Sequence, residues 1–177
     1  MKKYLYQFFI ALFAISALTL VSCSDDEDDP NNGGVDSSFT VNGVPFGVHP
    51  MAGASNTCIN YTSNGPTYIQ SELYPAGSDE LEIYPYVNIS IVAERFDPST
   101  LSKGFTLNLT DESWVEYATG MMQVVRYSQF VSGKIIFQGF SKGNATFNFE
   151  DVKYAQKGNE SNTITLNGTM TCEYTGI

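Results

Sequence analysis

From Phe39 to the end of the chain, apolar and polar residues trade places with a period of two. In a strand, successive side chains point to opposite faces, so this alternation predicts half-buried β-strands. The clearest case runs from Glu80 to Phe96. Leu81, Ile83, Val87, Ile89, Ile91 and Ala93 fall on one face, and Glu82, Tyr84, Tyr86, Asn88, Ser90 and Glu94 on the other. Pro85 stands on the apolar parity, which predicts an edge or a bulge there.

Other segments repeat the pattern. Phe105, Leu107 and Leu109 alternate with Thr106, Asn108 and Thr110, and Phe147 and Phe149 alternate with Thr146, Asn148 and Glu150. Ile164, Leu166, Met170, Cys172 and Tyr174 share a face near the C-terminus. Less regular runs cover Thr57 to Tyr61, Thr67 to Leu73, Met121 to Tyr127 and Lys134 to Phe140. In Phe39–Phe46, the pair Asn42-Gly43 predicts a hairpin, because both residues accept the positive φ values of a type I′ turn. Gly, Asn, Ser and Asp clusters punctuate the rest. No helical period stands out. About ten strands, each with one apolar face, predict an all-β domain: an antiparallel β-sandwich, or alternatively a closed β-barrel.

The N-terminal part follows another rule. Lys2 and Lys3 precede an apolar run from Phe8 to Val21, fourteen residues broken only by Ser16 and Thr19. That run is short for a hydrocarbon core of about 30 Å and has the length of a signal-peptide h-region. An uncleaved membrane anchor is the competing reading. Residues 1–22 are expected to be a signal peptide, 23–37 a tether, and 38–177 the folded domain. The tether begins with Ser24, Asp25, Asp26, Glu27, Asp28 and Asp29, and continues into Pro30-Asn31-Asn32-Gly33-Gly34. Like charges repel and small residues add flexibility, so this stretch is expected to be disordered.

Leu20-Val21-Ser22-Cys23 resembles a bacterial lipobox, in which the cysteine thiol takes a diacylglycerol before cleavage. The serine and acids that follow resemble the export signal of Bacteroidota surface lipoproteins. Together with the loose likeness of the "NG" hairpin and the final "ITLNGTMTCEY" strand to small all-β lipoproteins of that group, this implies a lipid-anchored protein on the outer membrane, facing the cell exterior. The resemblance brings no catalytic residues. Stable anchoring takes about two acyl chains, which a lipoprotein supplies.

Charge narrows the partners. From Ser37 onward, thirteen acids against seven Lys and Arg give a formal charge of about −6. Without a basic stripe, nucleic acid is a poor partner. With Cys23 given to the lipid, Cys58 and Cys172 remain as either a disulfide or two buried thiols, since an exported chain permits both.

Catalytic and metal chemistry find little support. His49 is the sole histidine, between Val48 and Pro50, with no G-x-S-x-G or H-E-x-x-H motif. No metal site and no cofactor are expected. The carboxylate pairs Asp79-Glu80, Asp111-Glu112 and Glu150-Asp151 bear on glycoside hydrolysis, which needs two acids. All three are expected at turns or strand ends. The positive hint is aromatic: Tyr84 and Tyr86 share the polar face of the clearest strand with Glu82 and Asn88, and Tyr61, Tyr68, Tyr74, Trp114 and Tyr117 lie nearby. Rings flanked by amides and carboxylates suit sugars. The expected function is therefore non-catalytic binding at the cell surface, with glycans as the candidate ligand. The alternatives are an assembly subunit that offers a strand edge to a protein partner, or a glycan hydrolase.

Overall fold

The structure is a computed structural model, and it describes residues 38–48, 56–78 and 83–176. Within them lie ten strands and no helix. They are β1 (Thr40–Val41), β2 (Val44–Val48), β3 (Asn56–Ile59), β4 (Thr67–Pro75) and β5 (Tyr86–Ala93). They continue with β6 (Trp114–Gly120), β7 (Gln123–Tyr127), β8 (Gln129–Ser141), β9 (Asn144–Gln156) and β10 (Asn159–Thr175). The domain is all-β, as the alternation predicts.

The strand order is β7-β6-β5-β4-β2-β1-β10-β9-β8, and β3 joins β4 to β10 a second time. This second link closes β1, β2, β3, β4 and β10 into a five-stranded barrel. Two extensions leave the ring, β5-β6-β7 from β4 and β9-β8 from β10. The sheet is antiparallel except where β3 runs parallel to β10. That pair departs from the antiparallel expectation, and it arises because β3 fills the gap that β4 and β10 leave at one end.

The β1–β2 hairpin turns through Asn42 (φ 51°) and Gly43 (φ 79°), both left-handed as a type I′ turn requires. Asn42 does more than turn. Its backbone N–H donates to the Thr165 carbonyl at 2.8 Å, and its Oδ1 accepts from the Thr165 N–H at 2.9 Å. The N-terminal hairpin is thereby fastened to β10.

Inside the closed sheet, Phe39, Ile69, Leu73, Val87, Ile91, Ile135, Phe147, Ile164 and Leu166 are fully buried. The rings interlock edge to face, Phe39 against Phe149 with centroids 5.3 Å apart and Phe96 against Phe147 at 6.0 Å. Such arrangements match the positive ring edge to the negative ring face. β10 keeps its predicted inner face, with Ile164, Leu166, Met170 and Cys172 all buried.

Three expectations change. Of the alternation predicted from Glu80, the described residues are strand from Tyr86 onward, after a cis peptide between Tyr84 and Pro85, and Ile83 is exposed rather than in the core. Glu150 and Asp151 sit in the middle of β9, not at its end. There Asp151 adopts φ 47° and β9 carries one extra residue against β10, so the inward parity moves from Phe147 and Phe149 to Val152 and Tyr154. A bulge of this kind flips every later side chain to the other face. Finally, 105–109 is no full strand. Its backbone bonds first to β8 and then to the end of β5, splitting one run of alternation between two partners.

Candidate functional site

The outer face of β4, β5 and β6 collects the residues with the most recognisable chemistry. Register places Glu72 of β4 opposite Asn88 of β5, Asn88 opposite Glu116 of β6, and Glu116 opposite Arg126 of β7. One polar row therefore crosses four strands. Beside it, Tyr86 of β5 is opposite Ala118 of β6. The Tyr86 ring lies between two others, 5.6 Å from Tyr84 with planes at 33° and 6.1 Å from Tyr74 with planes at 44°. All three rings are half-buried.

These residues share a face for the reason the alternation gives. On β5, Val87 and Ile89 turn into the core, which obliges Tyr86 and Asn88 to turn out. On β4, Leu73 and the buried Ser71 oblige Tyr74 and Glu72 to do the same.

The polar contacts are specific. The Tyr74 hydroxyl donates to Glu72 Oε1. Arg126 Nε donates to Glu116 Oε1 at 2.6 Å, and its guanidinium lies 4.4 Å from the centre of the Trp114 ring. Burial, and then the hydrogen bond and charge of Glu72, push the Tyr74 phenol up. Burial, then neighbouring Tyr84, Glu116 and Glu72, do the same for Tyr86. Both phenols stay protonated at neutral pH and present hydroxyl donors beside carboxylate acceptors. A hollow of about 50 Å³, bordered by Gly47, Val48 and the 74–78 turn, adjoins Tyr74.

Of the residues expected to form the site, the structure brings Tyr84, Tyr86 and Asn88 together. Glu82 lies outside the described residues, as do His49, Cys23 and the run Ser24 to Asp29. Glu72, Glu116 and Arg126 were not foreseen as part of this face. Each sits on an outward parity of its own segment, but only the pairing of β4, β5, β6 and β7 makes them neighbours. Tyr61 and Tyr68 form a separate edge-to-face pair 5.2 Å apart, and Tyr117 turns inward against the core.

Cys58 and Cys172 occupy the paired strands β3 and β10, and both are free, buried thiols. Burial raises the Cys58 thiol to about 12 and Cys172 well above its ordinary range. Burial of this kind keeps both thiols protonated at neutral pH and disfavours the reactive thiolate. Among the described residues, no three His, Cys, Asp or Glu side chains gather as a metal site would require, and no helix is long and apolar enough to cross a membrane.

A larger hollow lies elsewhere. A groove of about 290 Å³ separates residues 106–111 from Phe130, Gly133 and Lys134 of β8. Compared with family models, curated proteins and solved structures, the chain has no match in any of the three. What the chain itself defines is an all-β domain with an aromatic and acidic sheet face.

Proposed function

We propose that this chain is a lipid-anchored protein of the outer membrane, attached through Cys23 and facing the cell exterior, whose β-domain binds glycans without catalysis. The observation that carries the reading is the row Tyr84, Tyr86 and Tyr74 beside Glu72 and Asn88. Sugar rings stack their C–H faces on aromatic rings while their hydroxyls pair with amides and carboxylates. Because Tyr86 is flanked on both sides, a sugar would stack on the outward face of Tyr84 and reach the Glu72–Asn88 row with its hydroxyls. The Ser24–Asp29 run serves export to the surface and holds the domain off the membrane.

The test is a glycan array probed with the purified full chain in detergent, alongside the Tyr84→Ala/Tyr86→Ala variant. Binding by the parent chain that the variant loses supports the proposal. An array on which the parent chain binds nothing, or binds only glycans the variant binds equally, overturns it.

A further inference from the structure

The outward residues of β4 are Tyr68, Gln70, Glu72 and Tyr74, since Ile69, Ser71 and Leu73 between them turn inward and are buried. The Tyr84, Tyr86 and Tyr74 rings occupy only one end of this line. The other end carries aromatic rings of its own.

There Tyr61, just beyond β3, lies over the outer side of β4. Its hydroxyl donates to Gln70 Oε1 at 3.0 Å, and its ring meets the Tyr68 ring edge to face, with centroids 5.2 Å apart. The pairing of β3 with β4 delivers it to this place, because Thr57 is opposite Gln70 and Ile59 opposite Tyr68. Tyr61 is 54% exposed, and among the described residues no other tyrosine is classed as exposed. A ring fixed at both its hydroxyl and its edge, yet more than half exposed, offers a flat surface in a set orientation.

Tyr68 and Tyr74 stand six positions apart on β4, a span of about 20 Å at the rise of an extended strand. Gln70 and Glu72 fill the interval, and Asn88 of β5 is opposite Glu72. The Glu72 carboxylate is an acceptor, and the side-chain amides of Gln70 and Asn88 carry both donors and acceptors. Two aromatic ends are thus joined by groups that suit hydroxyls. No single sugar can touch both ends, whereas a chain of several linked sugars can.

We infer that Tyr61 and Tyr68 form a second aromatic subsite, and that the ligand is an unbranched oligosaccharide lying along β4. This rests on the glycan reading and adds to it the length and direction of the bound sugar chain. One end would stack at Tyr84, the other at Tyr61, and the hydroxyls of the sugars between them would meet Gln70, Glu72 and Asn88. Once the first end is bound, contact at the second becomes intramolecular, so affinity rises steeply when the chain is long enough to reach.

The experiment measures binding of the purified full chain in detergent to glucan, xylan and mannan oligosaccharides, each as a series from disaccharide to hexasaccharide. In at least one series the hexasaccharide should bind at least about ten-fold tighter than the disaccharide. Tyr61→Ala, at an exposed position where the fold should survive the change, should abolish that gain and leave disaccharide binding as it was. Tyr61→Phe keeps the ring and should keep the gain. Affinity independent of length, or a gain that survives Tyr61→Ala, overturns the second subsite and leaves the glycan reading standing. Absence of binding in every series also overturns the second subsite, and the glycan array then decides separately whether the glycan reading falls with it.

Discussion

Cys172 donates its thiol hydrogen to the Asn56 side-chain oxygen across 3.0 Å, and the Asn56 amide donates in turn to the Thr171 carbonyl. One asparagine thus bridges the parallel strands β3 and β10 from inside the barrel. Without it, buried polar groups on β10 would face apolar surroundings. Asn56→Ala is expected to cost about 1–3 kcal/mol, read as a lower urea midpoint at unchanged slope. A change below about 0.5 kcal/mol, the ordinary range for surface substitutions, would show that the bridge contributes nothing to closure.

Alkaline pH is expected to destabilise the domain. Burial holds the Cys58 thiol at about 12 against an ordinary 9.0. Chiefly through burial, the Tyr154 phenol stands at about 12 against 10.0. The unfolded chain loses these protons first. Between its pKa values and the folded ones it binds fewer protons than the native state, so stability falls as pH rises. The contribution is complete below about pH 9 and disappears towards about pH 12. Urea titrations at about pH 8 and about pH 10.5 should give the lower midpoint at the higher pH. The two thiols should also resist a disulfide reagent at neutral pH until the protein is denatured.

The tyrosines on the outer face should separate into two roles. Tyr84 has one ring neighbour in the row and Tyr86 has two. At about 0.5–1.5 kcal/mol per aromatic pair, Tyr86→Ala should lower the melting temperature more than Tyr84→Ala. Glycan affinity should respond at least as strongly to Tyr84→Ala, with a loss of about 1–3 kcal/mol by analogy with base stacking on aromatic side chains. Equal melting temperatures for the two variants would contradict the stacked order of the rings.

Gly168 admits no side chain. Its φ is +102°, and a Cβ there would stand 2.2 Å from the Ser38 carbonyl oxygen. Both the left-handed backbone and the collision oppose substitution. Gly168→Ala should cost more than about 2 kcal/mol and loosen the seat of Phe39. An unchanged melting temperature would mean that 38–39 does not lie against β10 as described.

Replacement of Cys23 by alanine should leave a larger, unprocessed precursor that takes up no labelled palmitate. Alanine at Asp25, Asp26, Glu27, Asp28 and Asp29 should keep the lipid but reduce cleavage of the domain by protease added to whole cells. Normal palmitate labelling of Cys23→Ala would end the lipoprotein reading. Undiminished protease access in the second variant would reduce the acidic run to a spacer.

Alternation alone revealed most of the strands and their inward faces, because the period of two is a local property. The inner face of β10 and the type I′ turn at Asn42-Gly43 could be read directly. Partnership could not. Glu72, Asn88, Glu116 and Arg126 form one row only because four strands pair in a particular register, and no local signal encodes that. The same limit hid the adjacency of Cys58 and Cys172, whose strands are parallel neighbours far apart in the chain. The bulge at Asp151 was concealed for a different reason: Asp in a left-handed conformation looks, in sequence, like a turn residue at the end of a strand.

The way β1 is held has a mechanical consequence. β1 is two residues long, yet it is gripped between β2 and β10, with Phe39 wholly buried beside it. A pull at Ser38 directed along β1 would act on the strand in shear. It would load several bonds at once: Thr169 N–H to Ser38 Oγ, Asn42 N–H to Thr165 O, and Phe46 N–H to Phe39 O. Bonds loaded in parallel share the force instead of breaking one after another, and Phe39 must be drawn out of the core as they yield. Under a pull in that direction, the N-terminal entry to the domain resists in shear, and Phe39 is the last part to yield.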